Sequence, residues 1–176
     1  MVAAARSRPT DTAWRLRLAR REASGLPEIW ALLDRLTDPE IPAVSLWDLG
    51  ILRDLAWRDG RLIVTITPTY CGCPAMSEIE ADIRATLEQA GYGPVEIETE
   101  LKPAWSTDEL SPEAREALRG YGIAPPCIGS ALTEKPQCPR CGSGQTHPLA
   151  EFGSTACKAL WQCDECHEAF DYFKPI

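Results

Sequence analysis

The chain has 176 residues, 44% of them hydrophobic, and a formal net charge of −8, with 18 Lys and Arg against 26 Asp and Glu. That acidic balance argues against a general binder of phosphate backbones, which needs clustered basic side chains, so no nucleic-acid partner is expected. No run approaches the roughly 18 apolar residues of a membrane span and the N-terminus shows no secretory apolar core, so the expectation is a cytoplasmic protein without membrane contact, its eight cysteines reduced or metal-bound rather than a disulfide framework.

Residues 1–24 carry Arg6, Arg8, Arg15, Arg17, Arg20 and Arg21 against only Asp11 and Glu22, a composition shared with transit peptides. The preferred reading is a basic, partly helical and poorly ordered leader. From Pro27, which suits a first helical turn, Ile29, Leu32, Leu33 and Leu36 recur at helical spacing, and Asp38-Pro39 ends the pattern. Glu40-Ile41-Pro42 reads as an extended connector. Two β-branched runs, 51–57 and 62–67, flank Asp59-Gly60, a strong hairpin signal. In the second run Leu62, Val64 and Ile66 form one apolar face. A turn-rich loop, Pro68 to Pro74, leads into a helical stripe of Met76, Ile79, Ile83 and Leu87, which Gly91-Tyr92-Gly93-Pro94 stops. Val95 to Leu101 alternates like a half-exposed strand. The order α-β-β-α-β over residues 25–104 predicts a small α+β domain with helices on one sheet face. Residues 105–134 read as a linker holding a short helix, with Ser111 as N-cap and Pro112 in the first turn.

Residues 135–176 contain two C-x-x-C pairs, Cys138/Cys141 and Cys163/Cys166. Each pair fits a tight turn, and two such turns joined by a β-hairpin make a tetrahedral thiolate site for one structural Zn²⁺. Cys157, inside this ribbon, reads as a core thiol or an alternate ligand. His147 and His167 could replace a cysteine, but four thiolates already satisfy the ion. Chemistry is therefore sought elsewhere. In Cys71-Gly72-Cys73-Pro74, Pro74 fits the first helical position and places Cys73 at the N-cap, where free N–H groups and the helix dipole favour a thiolate able to bind metal. The alternative is an inert cysteine in a strand–helix turn. Asp38 and Glu40 could face the same loop, Asp48 reads as a turn cap, and Cys127 either approaches the loop or packs. With two histidines, no Ser-His-Asp arrangement and no phosphate loop, most enzyme designs are excluded and no catalytic residue is assigned.

Four stretches together carry a family resemblance: Leu36 to Pro42 with Leu46 to Ile51; Thr65 to Met76, containing Cys71-Gly-Cys-Pro-Ala-Met; Tyr121 to Pro126; and Phe152 to Leu160 between the two C-x-x-C pairs. The chain resembles the PaaD family, the D components of the phenylacetyl-CoA 1,2-epoxidase (ring-oxygenating) complex, and its first domain is similar to the SufT-like domains associated with iron–sulfur cluster assembly. The resemblance implies an accessory role in phenylacetate catabolism rather than turnover. Such a protein would help mature the reductase's iron–sulfur cluster or the oxygenase's di-iron site, with the oxygenase and reductase subunits as partners. The family cysteine falls on Cys73, and Cys71 stands where related domains often have serine. One or two thiolates cannot close a cluster that takes four, which favours transient holding of iron or a cluster. An integral, non-catalytic subunit is the alternative, and a thiol enzyme or a nucleic-acid-binding ribbon are weaker ones. The sequence leaves the oligomeric state open.

Overall fold

The computed structural model describes residues 10–127 and 135–175. Helix α1 (Thr10–Ala23) and α2 (Pro27–Leu33) precede a two-stranded hairpin, β1 (Thr37–Asp38) and β2 (Ile41–Ser45), and the single turn α3 (Leu46–Leu49). Then come β3 (Leu52–Arg58), β4 (Arg61–Ile66), α4 (Met76–Gln89) and β5 (Val95–Thr99). A 3₁₀ turn (Thr107–Glu109), α5 (Pro112–Tyr121) and β6 (Ile123–Ala124) lead to the ribbon strands β7 (Thr146–Ala150), β8 (Lys158–Cys163) and β9 (Ala169–Phe173). No helix among the described residues is long and apolar enough to cross a membrane.

The α+β class and the α-β-β-α-β order are present. β3 and β4 pair antiparallel around Asp59 and Gly60, both at positive φ as the tight hairpin turn requires. β4 then pairs parallel with β5 through the α4 crossover. The alternation read in β4 places Leu62, Val64 and Ile66 in one buried cluster with Ile29 and Leu33 of α2 and Ile79, Ile83 and Leu87 of α4. Burial of these side chains, at about 1.5–3 kcal/mol each, drives the layer together.

Three elements depart from expectation. From Thr10 onward the leader is an ordered helix; its first nine residues lie outside those described. Arg17 explains the order. Its Nη1 donates to the Glu109 carbonyl at 2.6 Å, its Nη2 donates to the carbonyls of Trp47 and Leu52, and its guanidinium lies 4.3 Å over the Trp47 ring. Burial pulls the Arg17 pKa down to about 10, so it keeps its charge at neutral pH. Beside it, Arg53 donates to Glu109 Oε1 at 2.7 Å, both side chains being buried. Composition registers the charges but not that one of them replaces lost hydration with carbonyls from three segments.

The second departure is the connector at Ile41-Pro42, which is strand β2 paired with β1. The third is the expected linker. Trp105, Leu110, Ala114, Leu118 and Ile123 belong to the same core as α2 and α4, with Trp105 Nε1 donating to the Leu49 carbonyl at 3.0 Å. Ser111 does cap α5, its Oγ accepting from Ala114 N–H at 2.8 Å, and Ser45 caps α3 in the same way toward Asp48. Gly50 sits at φ 92°, and a Cβ there would stand 2.9 Å from Trp105 Nε1, so glycine is required by both conformation and space.

β6 continues directly into the four-stranded sheet β6-β9-β8-β7, pairing parallel with β9. Phe173 at the end of β9 packs on Trp105 with ring centroids 6.0 Å apart, and Cys157 and Phe173 join the core of the first unit. The ribbon is thus packed onto the α+β unit, not hung from it.

Replacing Arg17 with alanine should leave buried carbonyls and Glu109 undercompensated, at a cost of about 2–4 kcal/mol. Urea unfolding checks this, and Arg17→Lys should recover little, because an ammonium cannot fork across three carbonyls.

Candidate functional site

The four ribbon cysteines converge. Cys138 N–H donates to the Ser143 carbonyl and Gly142 N–H to the Cys138 carbonyl, both at 2.9 Å, with Gly142 at φ 76°. The second turn repeats this: Cys163 N–H to the Glu168 carbonyl and His167 N–H to the Cys163 carbonyl, both at 3.0 Å, with His167 at φ 61°. Each turn aims its two sulfurs at one point. Cys138 and Cys166 sulfurs stand 3.7 Å apart, Cys141 and Cys163 sulfurs 3.6 Å, and all four lie within 4.8 Å of one another. A tetrahedron with metal–sulfur bonds of about 2.3 Å has edges of about 3.8 Å, so the set fits a four-coordinate thiophilic ion such as Zn²⁺. The Cys166 N–H, and then that of Glu165, favours the Cys163 thiolate and brings its pKa down to about 7. His147 and His167 are outside the four-sulfur set; His147 Nδ1 instead meets Asp164 Oδ1 at 2.6 Å.

The Cys71–Cys73 loop is different from its expectation. Helix α4 begins at Met76, with Ala75 in the capping place, so Cys73 lies two residues before the N-cap. Its thiol is half-buried, and burial pushes its pKa up. The Ala75 N–H favours the thiolate, but Asp38, Cys157 and Glu40 add to the rise that burial causes. Cys71 is exposed. Gly72, at φ 98° with open space where a Cβ would be, serves the turn alone.

Cys73 lines a narrow cavity of about 20 Å³ at the seam between the two units. Asp38 and Glu40 line it from the β1–β2 hairpin, Tyr70 from the cysteine loop, and Thr155 and Cys157 from the ribbon. Asp38 is buried and fixed: its Oδ1 accepts from Glu40 and Ile41 N–H groups, each at 2.9 Å. Burial raises its pKa. The Thr155 hydroxyl stands 3.0 Å from the Cys157 sulfur. Asp38 and Glu40 do face the loop as the sequence suggested. Cys157 was not foreseen as their neighbour, and the signal that could have found it is the Thr155-Ala-Cys157 stretch between the C-x-x-C pairs. Cys127 goes elsewhere, with Tyr172 Oη donating toward its sulfur at 3.9 Å. Asp48 accepts from Ser45 Oγ at 2.6 Å, a local turn role.

Fold and site thus define a class: an α+β unit with a half-buried cysteine loop, joined to a four-cysteine ribbon. Two family models divide the chain along the same lines, "Iron-sulfur cluster assembly protein" matching residues 27–99 and "PaaD zinc beta ribbon domain" matching residues 124–174. The chain is 47% identical over 163 residues to an Escherichia coli (strain K12) protein described as the D component of a "Putative 1,2-phenylacetyl-CoA epoxidase", an alignment covering 91% of this chain and 99% of that one. It belongs to that family of epoxidase D components. Over 89 residues it is also 37% identical to the "Fe-S protein maturation auxiliary factor" of Porphyromonas gingivalis (strain ATCC BAA-308 / W83), covering 49% of this chain and 84% of that protein. A solved domain of unknown function, DUF59, from Bacillus anthracis aligns at 25% identity and a TM-score of 0.49, covering 57% of this chain and 95% of that one.

Two outcomes follow from this geometry. Stripping metal with a strong chelator should lower Tm by at least about 10 °C, because a closed thiolate site contributes folding energy directly; differential scanning calorimetry checks it. Near neutral pH, iodoacetamide should label Cys71 quickly and Cys73 slowly, the Cys73 rate still climbing above pH 9 because its neutral thiol is favoured; peptide mass mapping reads both.

Proposed function

We propose that this chain is an accessory protein of a phenylacetyl-CoA epoxidase system, and that it helps install an iron centre in a partner protein. The observation that carries the proposal is the division of labour among the cysteines. Four sulfurs close a tetrahedral site in the ribbon, while the Cys73 sulfur, within the residues matched by the iron–sulfur assembly model, lies on a small cavity beside two carboxylates. The closed set suits one structural Zn²⁺, which holds the ribbon's shape. The open set offers too few thiolates for a resident cluster, which suits cargo that must leave. The partners are oxygenase and reductase subunits, and the centre served is a reductase iron–sulfur cluster or an oxygenase di-iron site. The cytoplasm is the setting in which such thiols stay reduced.

The raised Cys73 pKa modifies how the cargo would be handled. A neutral thiol gives up its proton to solvent as it takes the metal, so capture is proton-coupled and release is favoured by reprotonation. Cys71 lies exposed outside the cavity lining, where it can serve as a first contact for the cargo.

The description of the Escherichia coli relative as an epoxidase component favours a second reading, an integral non-catalytic part of the oxygenase. The two separate cleanly. In cells lacking this chain, Cys73→Ser should restore less than about a tenth of the epoxidation rate given by the intact protein, with partner subunits purified iron-poor. Full rescue by Cys73→Ser, or fully metallated partners that still need the chain for turnover, would reject maturation in favour of the structural role.

A further inference from the structure

We infer that the ribbon loop between β7 and β8 is a strap closed over Cys73 and latched by the carboxylate of Asp171, and that it must lift before cargo passes between Cys73 and a partner. This deepens the proposed function, on whose assignment of Cys73 it rests, by adding control of access to that site. The ribbon on this view does more than hold shape or dock, because one of its loops covers the thiol.

The need for opening comes from the cavity. It has about 20 Å³, the room of one water-sized body. Ile41, Leu49 and Phe173 supply much of its wall, so the closed cavity is no preformed cage for an ion. An ion passed between two proteins must at some moment touch a ligand of each, and there is no room here for the second ligand. Cys71 is exposed, yet Cys73, two residues on, is half-buried. Part of the cover comes from the other unit, through Thr155 of the strap.

The way the strap is held makes it separable from the rest of the ribbon. Asp171 on β9 is the common anchor. Its Oδ2 accepts from Ser154 Oγ at 3.2 Å and stands 3.6 Å from the buried Lys158 ammonium, which joins the early part of the strap to the start of β8. Gly153 passes so close that a Cβ there would stand 2.6 Å from Asp171 Oδ1. Gly153 N–H donates to the Lys158 carbonyl at 2.8 Å and Lys158 N–H to the Thr155 carbonyl at 3.1 Å. Lys174 Nζ adds a 3.3 Å bond to the Glu151 carbonyl and lies 4.2 Å over the Phe152 ring. Apolar burial contributes little: Phe152 is 60% exposed, Ser154 and Ala156 are exposed, and of residues 151–157 it is Cys157 that joins the core. A surface segment held by polar contacts opens at lower free energy than the packed strands beside it. Phe173 on Trp105 and the β8–β9 pairing keep the ribbon seated while the strap lifts.

The test uses the reduced full chain and reads iodoacetamide labelling of each cysteine by peptide mass mapping. Asp171→Asn, which removes the latch charge, and Gly153→Ala, whose methyl pushes that carboxylate aside, should each label Cys73 at least about 5-fold faster than the intact protein. The Cys71 rate should not change. Cys138 and Cys163, buried in the ribbon, should stay as slow as before, which separates lifting of the strap from unfolding. Ser154→Ala, at an exposed position, should give a smaller acceleration of about 2-fold and keeps the test decisive should the other two variants fold poorly. If Cys73 labelling is unchanged in the folded variants, or rises only in step with Cys138 and Cys163, the strap is rejected. The same rates separate the two readings, since they need neither cargo nor partner. Accelerated labelling beside full epoxidation support by Cys73→Ser keeps the strap and rejects maturation. Unchanged labelling beside lost support by Cys73→Ser rejects the strap and keeps maturation.

Discussion

The parallel pairing of Ile123 and Ala124 with Asp171 and Tyr172 joins the two halves of this molecule, and much else depends on it. It turns the residues after α5 into an edge strand of the ribbon sheet, and it brings Phe173 onto Trp105 and Cys157 into the core of the α+β unit. A ribbon stabilised only by its metal site would be free to tumble on a tether. Here its apolar end is buried against the larger unit, so the orientation of its side chains toward the cysteine loop is set by packing. Such packing is close and strongly position-dependent, which makes a seam cavity a defined place instead of a fluctuating gap.

The same logic applies at the opposite end of the chain. Arg17 and the Arg53–Glu109 pair lie between α1, the α3–β3 corner and the 3₁₀ turn. The guanidinium of Arg17 meets two aromatic faces as well as carbonyls, with Trp14 at 5.3 Å and Trp47 at 4.3 Å. A buried charge of this kind stabilises only because its partners are all in place. It holds the segment around Trp105, which in turn packs under the ribbon. Leader, α+β unit and ribbon are therefore coupled through one continuous interior.

For function, the placement of sulfur matters more than its amount. The ribbon's four cysteines converge on one point, with each pair preset by a backbone turn, a set that fits a four-coordinate thiophilic ion. Cys73 has the opposite character: half-buried, short of the helix N-terminus, and set among carboxylates that oppose its ionisation. Burial and those carboxylates favour the neutral thiol there. Geometry thus places the same element in two different settings in one chain: four convergent sulfurs in the ribbon and a half-buried thiol at the seam.

What the sequence alone determined is what depends on neighbours along the chain. The Asp59-Gly60 hairpin, the β4 alternation, the α4 stripe, the Ser111 cap and the C-x-x-C turns each arise from short-range sterics, periodicity or local hydrogen bonds, and they were legible residue by residue. Three things were not. Arg17 looked like one more solvated charge, because its carbonyl partners lie 30 or more residues away. The N-cap assignment of Cys73 failed because the helix begins two residues later than Pro74 suggests, and because burial, a property of packing, outweighed the local N–H. Cys157 was invisible as a neighbour of Cys73, since 84 residues separate them and no local rule links them. Only the tertiary structure decided these, because burial and long-range juxtaposition come from how the two units pack, and a periodic pattern carries no record of which distant surface it will meet.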